Sequence, residues 1–210
     1  MKKHINNFYL AVLAGIMISI GCIVFLSIEN KIIGSLLFTT GLLTVLVFKL
    51  NLFTGKAPYI CKNDLNYSIF IVVVWFGNFI GVAITAFLIR NTAIFAKIIE
   101  KCTALAEAKV TTSISSLFIL SIFCGILMYI AVDVYNTHNT DKNFFTTILV
   151  IFCVSVFILS GFEHSIADMF YFVLALPIKQ WIFPLIIVTS GNIIGGNIFC
   201  AVCQLAKETQ

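Results

Sequence analysis

Ser160-Gly161-Phe162-Glu163-His164-Ser165 lies near the middle of an apolar stretch that runs from Asn143 to Leu176. As one straight helix the stretch would be roughly 50 Å long at 1.5 Å per residue. The hydrocarbon core of a bilayer is only about 30 Å thick. A helix that stops, gives way to a short loop and restarts accounts for both the excess length and the polar residues at the centre. A second stretch, Ile32 to Ile60, has the same anatomy: roughly 43 Å as a straight helix, with Lys49-Leu50-Asn51-Leu52-Phe53-Thr54-Gly55 near its middle. Irregular backbone at membrane depth is tolerated only where protein buries it or where it lines a wet cavity. Paired interruptions in corresponding places of two halves point to a transport site.

The remainder of the chain reads as membrane helix. Charged residues make up 10% of the 210 positions and apolar ones 60%, against roughly 25% charged in a soluble domain. Asn6 to Ile28, Tyr67 to Ile89, Val110 to Val132 and Trp181 to Ala206 are uncharged runs, each longer than the roughly 20 residues a spanning helix needs. They lack the alternation of about 10 residues that a β-barrel strand carries. The run behind Met1-Lys2-Lys3-His4 is too long for a secretory signal and ends without a small-x-small cleavage site, so it is expected to be the first retained span. The expected fold is therefore an all-α membrane protein with six transmembrane helices, of which spans 2 and 5 are broken. Lys and Arg fall between spans rather than along a stripe, which excludes a nucleic-acid surface. They divide evenly between the two sides, so charge does not set the orientation. The seven cysteines are scattered through apolar runs, where they act as small hydrophobes.

The two halves align with each other. Gly77-Asn78-Phe79-Ile80-Gly81 in the third span recurs as Gly191-Asn192-Ile193-Ile194-Gly195 in the sixth. Thr54 precedes the first motif, and His164 the second, by comparable distances. Three spans per half is an odd number, so the halves insert with opposite orientation. The chain is expected to be one channel domain over 1–210, with inverted repeats at 1–90 and 110–210 joined by a charged linker at 91–109.

Ionisable groups inside a span are costly and are functional candidates. The fifth segment holds Glu163, His164 and Asp168, and His164 is the only histidine within a span. No His-Glu-x-x-His, second buried histidine or paired aspartate motif accompanies them, which argues against an intramembrane enzyme and against a bound metal or other cofactor.

The stretch Gly161-Phe162-Glu163-His164-Ser165-Ile166-Ala167-Asp168-Met169-Phe170 closely resembles the signature of the formate/nitrite transporter family, which has Asn in place of Asp168. Leu52-Phe53-Thr54-Gly55 resembles the family's other broken-helix motif, and Gly191-Asn192-Ile193-Ile194-Gly195-Gly196 its sixth-span motif. The resemblance implies an aquaporin-like protomer, a homopentamer in the lipid bilayer of a bacterial cytoplasmic membrane, and passage of small monovalent anions such as formate, nitrite or hydrosulfide. It implies that His164 is the central pore histidine, with Thr54 as its hydrogen-bonding partner. Leu52 and Phe53 would belong to one constriction, and Phe157, Phe38 and Leu42 would line apolar ones. Asn192 would line the pore, and Lys109 would lie near its mouth, concentrating anions.

Asp168, placed with the pore residues, and Tyr129 depart from the family pattern. Glu163 is expected to form a structural ion pair with Lys49 of the other half. In the expected mechanism a weak-acid anion is drawn in and crosses the apolar constriction partly or wholly as the neutral acid, with His164 and Thr54 supplying the proton or a hydrogen bond. The alternative is an aquaporin-like channel for small neutral solutes. That class is expected to carry Asn-Pro-Ala at both breaks, and neither break has Pro beside Asn.

Overall fold

The computed structural model describes residues 2–138 and 144–208, and every regular element among them is helical. The helices are α1 (Lys2–Ser27), α2 (Lys31–Val47), α3 (Phe53–Lys56), a 3-10 turn at Ala57–Lys62, α4 (Leu65–Ile89), α5 (Ala93–Thr111), α6 (Ile114–His138), α7 (Phe144–Leu159), α8 (Ser165–Ala175) and α9 (Ile178–Glu208). α1, α4, α6 and α9 contain stretches long and apolar enough to cross a membrane, while α2, α7 and α8 are shorter apolar helices. Large apolar side chains face outward on most of them; Phe48, Phe87, Phe144 and Phe145 are each about 70% exposed. Such a surface suits lipid or a neighbouring subunit rather than water.

Packing repeats along the chain. α1 packs on α4 and α2, α6 packs on α9 and α7, and α2 meets α7 across the middle. Small residues set the closest approaches, as they do where helices associate in lipid. A Cβ at Gly81 would sit 2.1 Å from the Val12 carbonyl oxygen of α1, and one at Gly195 would sit 2.1 Å from the Ile122 carbonyl oxygen of α6. The recurring Gly-Asn-x-x-Gly motif is thus the surface through which each half binds its first helix.

α2 and α7 stop in the same way. At the end of α2, Lys49 takes a left-handed φ of 52°. Its N–H donates to the Leu46 carbonyl (3.2 Å) and the Leu50 N–H donates to Val45 (2.9 Å). At the end of α7, Gly161 has φ 69°, with Gly161 N–H on Ile158 (3.3 Å) and Phe162 N–H on Phe157 (2.9 Å). This pair of bonds satisfies the last carbonyls of a helix and ends it. After three further residues in each case a new helix opens, α3 behind Leu52 and α8 behind His164. α5, which takes up most of the expected linker and runs two residues past it, lies against α8.

Candidate functional site

The loops that follow the two stops are fixed by one asparagine each. The Asn78 side chain donates to the carbonyls of Ala11 (2.7 Å) and Asn51 (2.9 Å) and accepts the Phe53 N–H (2.8 Å). The Asn192 side chain donates to Ser121 (2.8 Å) and Glu163 (2.8 Å) and accepts the Ser165 N–H (2.9 Å). Each clamp ties a loop both to the first helix of its half and to the first turn of the helix that restarts. Matching bonds run from the Asn51 N–H to Leu10 (3.3 Å) and from the Glu163 N–H to Leu120 (3.4 Å). By these bonds Leu52, not Thr54, is the counterpart of His164. Asn192 is 2% exposed and every polar atom of its amide is engaged, so it acts as a clamp where the resemblance implied a pore-lining side chain. Asn78 stands in the motif that reveals the repeat, and its role is the same as that of Asn192.

His164 is held at both ring nitrogens. As the N-cap of α8, its Nδ1 accepts the Ala167 N–H (3.1 Å). A neutral ring then carries its hydrogen on Nε2, which donates to the Thr54 hydroxyl at 2.9 Å. The Thr54 hydroxyl proton remains free to point at a third group. Phe157 stacks on the imidazole (centroids 5.3 Å apart, 18° between planes), and Phe38 meets Phe157 edge-on at 6.0 Å. Phe38, Leu42, Leu52, Phe53, Thr54 and His164 are all at most 2% exposed.

Two cavities approach this pair. One, of about 500 Å³, is lined by Leu52 and Gly55 together with Val45, Lys56 and Val132. The other, of about 250 Å³, is lined by Phe38, Phe157, His164, Lys109 and Asp168. Leu52 and His164 thus face different cavities, and the Thr54–His164 bond joins the loop that lines the larger cavity to the histidine that lines the smaller one. Leu42, Phe53 and Thr54 are buried and line neither cavity. Lys31 and Lys101, which the sequence reading did not select, also line the smaller cavity. Lys101 donates to the Phe25 and Ile28 carbonyls (3.0 and 2.9 Å) at the end of α1. Burial, and then the neighbouring Lys31 charge, hold its ammonium below the usual lysine range.

The expected Glu163–Lys49 pair does not form. Lys49 is exposed at the left-handed stop of α2 and lines the larger cavity. Glu163 pairs instead with Lys109, which stands in the last turn of α5 against the start of α8. The Lys109 ammonium also reaches Asp168 Oδ1 at 2.9 Å. The resemblance implies a Lys109 near the pore mouth that concentrates anions; its side chain is 14% exposed and committed to two carboxyl groups.

Comparison with known proteins gives one consistent answer. The family model described as formate/nitrite transporter matches residues 2–206. The formate channel FocA of Escherichia coli is 24% identical over 247 residues, covering 94% of this chain and 84% of that one. The uncharacterized transporter YwcJ of Bacillus subtilis is 32% identical over 164 residues, 70% of this chain and 63% of the relative. Among solved structures, a pentameric formate channel with formate bound superposes with a TM-score of 0.87 at 25% identity, over 100% of this chain and 99% of that chain.

Proposed function

The chain belongs to the formate/nitrite transporter family, and we propose that it is a channel for small monovalent weak-acid anions of the formate, nitrite or hydrosulfide type, which move together with a proton. It is a multi-pass membrane protein, and its family is one of transporters rather than enzymes. The observation that carries the reading is the buried Thr54–His164 hydrogen bond, which joins the loop lining one cavity to the histidine lining the other. There the Nε2–H of His164 polarises the Thr54 hydroxyl, whose proton is free for an anion. The stacked Phe157 and edge-on Phe38 form an apolar constriction that favours a neutral species, because an unpaired ion is costly to desolvate. The N-terminus of α8 adds a partial positive charge beside the path.

The architecture proposed for this function is six spans in two inverted halves, 1–90 and 110–210, with 91–109 as the linker. Spans 2 and 5 are α2 with α3 and α7 with α8. The matching helix stops, asparagine clamps and packing pairs support this arrangement. We take the protein to be a homopentamer in a bacterial cytoplasmic membrane, with one path per subunit, on the strength of its full-length match to the pentameric formate channel.

Stopped-flow flux into proteoliposomes tests the proposal with formate, nitrite, hydrosulfide and glycerol across a range of pH. Anion flux is expected, without glycerol flux. Thr54→Val removes the hydroxyl and should lower formate flux, while Thr54→Ser should retain it; His164→Asn should alter both rate and pH profile. Glycerol uptake without formate uptake would overturn the channel class. An unchanged flux in Thr54→Val and His164→Asn would remove the pair from the path.

A further inference from the structure

We propose that Glu163, Asp168 and Lys109 form a proton-binding site in the wall of the smaller cavity, in which the two carboxyl groups together bind one proton, carried on Asp168. The site rests on the channel reading for its use, not for its existence. Lys109 bonds to Glu163 and to Asp168 Oδ1. Asp168 Oδ2 is buried and has no hydrogen-bond partner among the described residues, and the whole residue is 1% exposed. An ionised carboxylate is acceptor-only. Two ionised carboxylates on one ammonium would leave a net negative charge and a bare anionic oxygen out of water. Burying an uncompensated ion costs several kcal/mol, whereas the start of α8, where Asp168 lies in the first turn, contributes only about 0.3–1 kcal/mol to an anion. One proton on Asp168 Oδ2 brings the group to neutrality and turns the bare acceptor into a donor, with the Glu163 carboxylate as its charged neighbour.

Among the described residues, Lys109 is the one cation that forms an ion pair with Asp168. Cys22 of α1 donates to the Ala167 carbonyl and Cys102 of α5 to that of Tyr171. Cys124 of α6 and the Tyr171 phenol are the other titratable neighbours, and all four are uncharged at neutral pH. Arg90, at the end of α4, is spent on the Val173 and Leu174 carbonyls near the far end of α8. From α3, Lys56 lines the other cavity. Lys31 and Lys101 line the same cavity, but neither forms an ion pair with Asp168 among the described residues.

The site also resolves a difficulty with His164. Its Nδ1 is occupied by the Ala167 N–H, so protonating the ring there breaks the cap of α8. Asp168 lines the same cavity as His164 and carries no such obligation. In use, the O–H bond of the Asp168 carboxyl breaks as an O–H bond, or for hydrosulfide an S–H bond, forms on the weak-acid anion. The neutral acid leaves past Phe157, and the negative site is reprotonated by a solution proton that arrives as hydronium through the cavity. Flux should therefore fall as rising pH empties the site.

The experiment is infrared spectroscopy of the full-length, reconstituted protein, read beside formate flux. At neutral pH the wild type should show the carbonyl stretch of a buried, protonated carboxylic acid. The band should shift in D2O and disappear at high pH as flux falls. Asp168→Asn should lose the band and flatten the pH dependence of flux. Glu163→Gln serves as the second variant if Asp168→Asn does not assemble, and should shift the band or abolish it. Absence of the band from the wild type, or its persistence unchanged in the variants that assemble, would overturn the proposal, as would an unaltered pH profile in Asp168→Asn. The band is read without transport, so a protein that carries glycerol and not formate would refute the channel while leaving this site standing. Formate flux without the band would refute this site alone.

Discussion

The asparagine clamps make the sharpest prediction, because the same network occurs once in each half. Asn192→Ala removes the side chain that accepts from the Ser165 N–H and donates to the Ser121 and Glu163 carbonyls. Ser121 lies inside α6, and its carbonyl lies within a helical hydrogen-bond ladder. The Ser165 N–H and the Glu163 carbonyl belong to a loop and a helix start, and no other partner replaces the lost one. Leaving a buried backbone group unsatisfied costs about 1–3 kcal/mol, so the pair costs roughly 2–6 kcal/mol. Asn78→Ala orphans the Phe53 N–H and the Asn51 carbonyl in the same manner, and the same cost is expected. Thermal unfolding in detergent, followed by size-exclusion chromatography, reads both variants; the two should lose stability in parallel. Flux should separate them from generic damage. Asn192→Ala frees the loop that aims His164, and Asn78→Ala frees the one that aims Thr54, so both should conduct poorly even where they still assemble. If either variant unfolded within about 0.5 kcal/mol of the wild type, the range of an ordinary surface substitution, the clamps would not be what holds the loops.

Two predictions concern the backbone. Gly81→Ala and Gly195→Ala each put a Cβ 2.1 Å from a helix carbonyl oxygen that cannot rotate away. The helices must separate, at an overpacking cost of about 1–3 kcal/mol or more, and both variants should lose assembled protein on size exclusion. Lys49→Gly should do the opposite: it relieves a left-handed non-glycine residue, worth roughly 1–2 kcal/mol, less about 0.5–1 kcal/mol for the added freedom of the unfolded chain. Its unfolding midpoint should rise slightly, and a fall would mean that the Lys49 side chain holds the stop in place.

How much of this was legible in the sequence differs from residue to residue. The positions where α2 and α7 end follow from length against bilayer thickness and from polar residues in the middle of apolar runs. Gly161 announces its left-handed stop; Lys49 does not, because nothing in a lysine marks it for that conformation. Equating Thr54 with His164 by distance from the glycine motifs therefore put the two loops two residues out of register. The stops and the clamps both pair Leu52 with His164. Glu163 and Lys109 are 54 residues apart, and no periodicity links a linker helix to the fifth segment. Lys49 was the plausible partner only because it occupies the matching break.

That matching break explains why the Lys49 pairing had to fail. The residue after each stop by two positions is Asn51 in one half and Glu163 in the other, and both lie at the same point of the clamp. In the first half that position carries an amide, which donates to the Asn7 carbonyl (3.1 Å) and brings no charge. In the second half it carries a carboxylate, and burying it demands a cation on the same side of the protein. The symmetry that brings the two loops together at Thr54 and His164 leaves Lys49 lining the cavity that Glu163 does not share. The cation must come from outside the repeat, and the last turn of α5 supplies Lys109. Asp168 then draws on a lysine already engaged, one turn into α8. The two halves therefore differ at this charged cluster as well as at the Leu52 and His164 positions beside it.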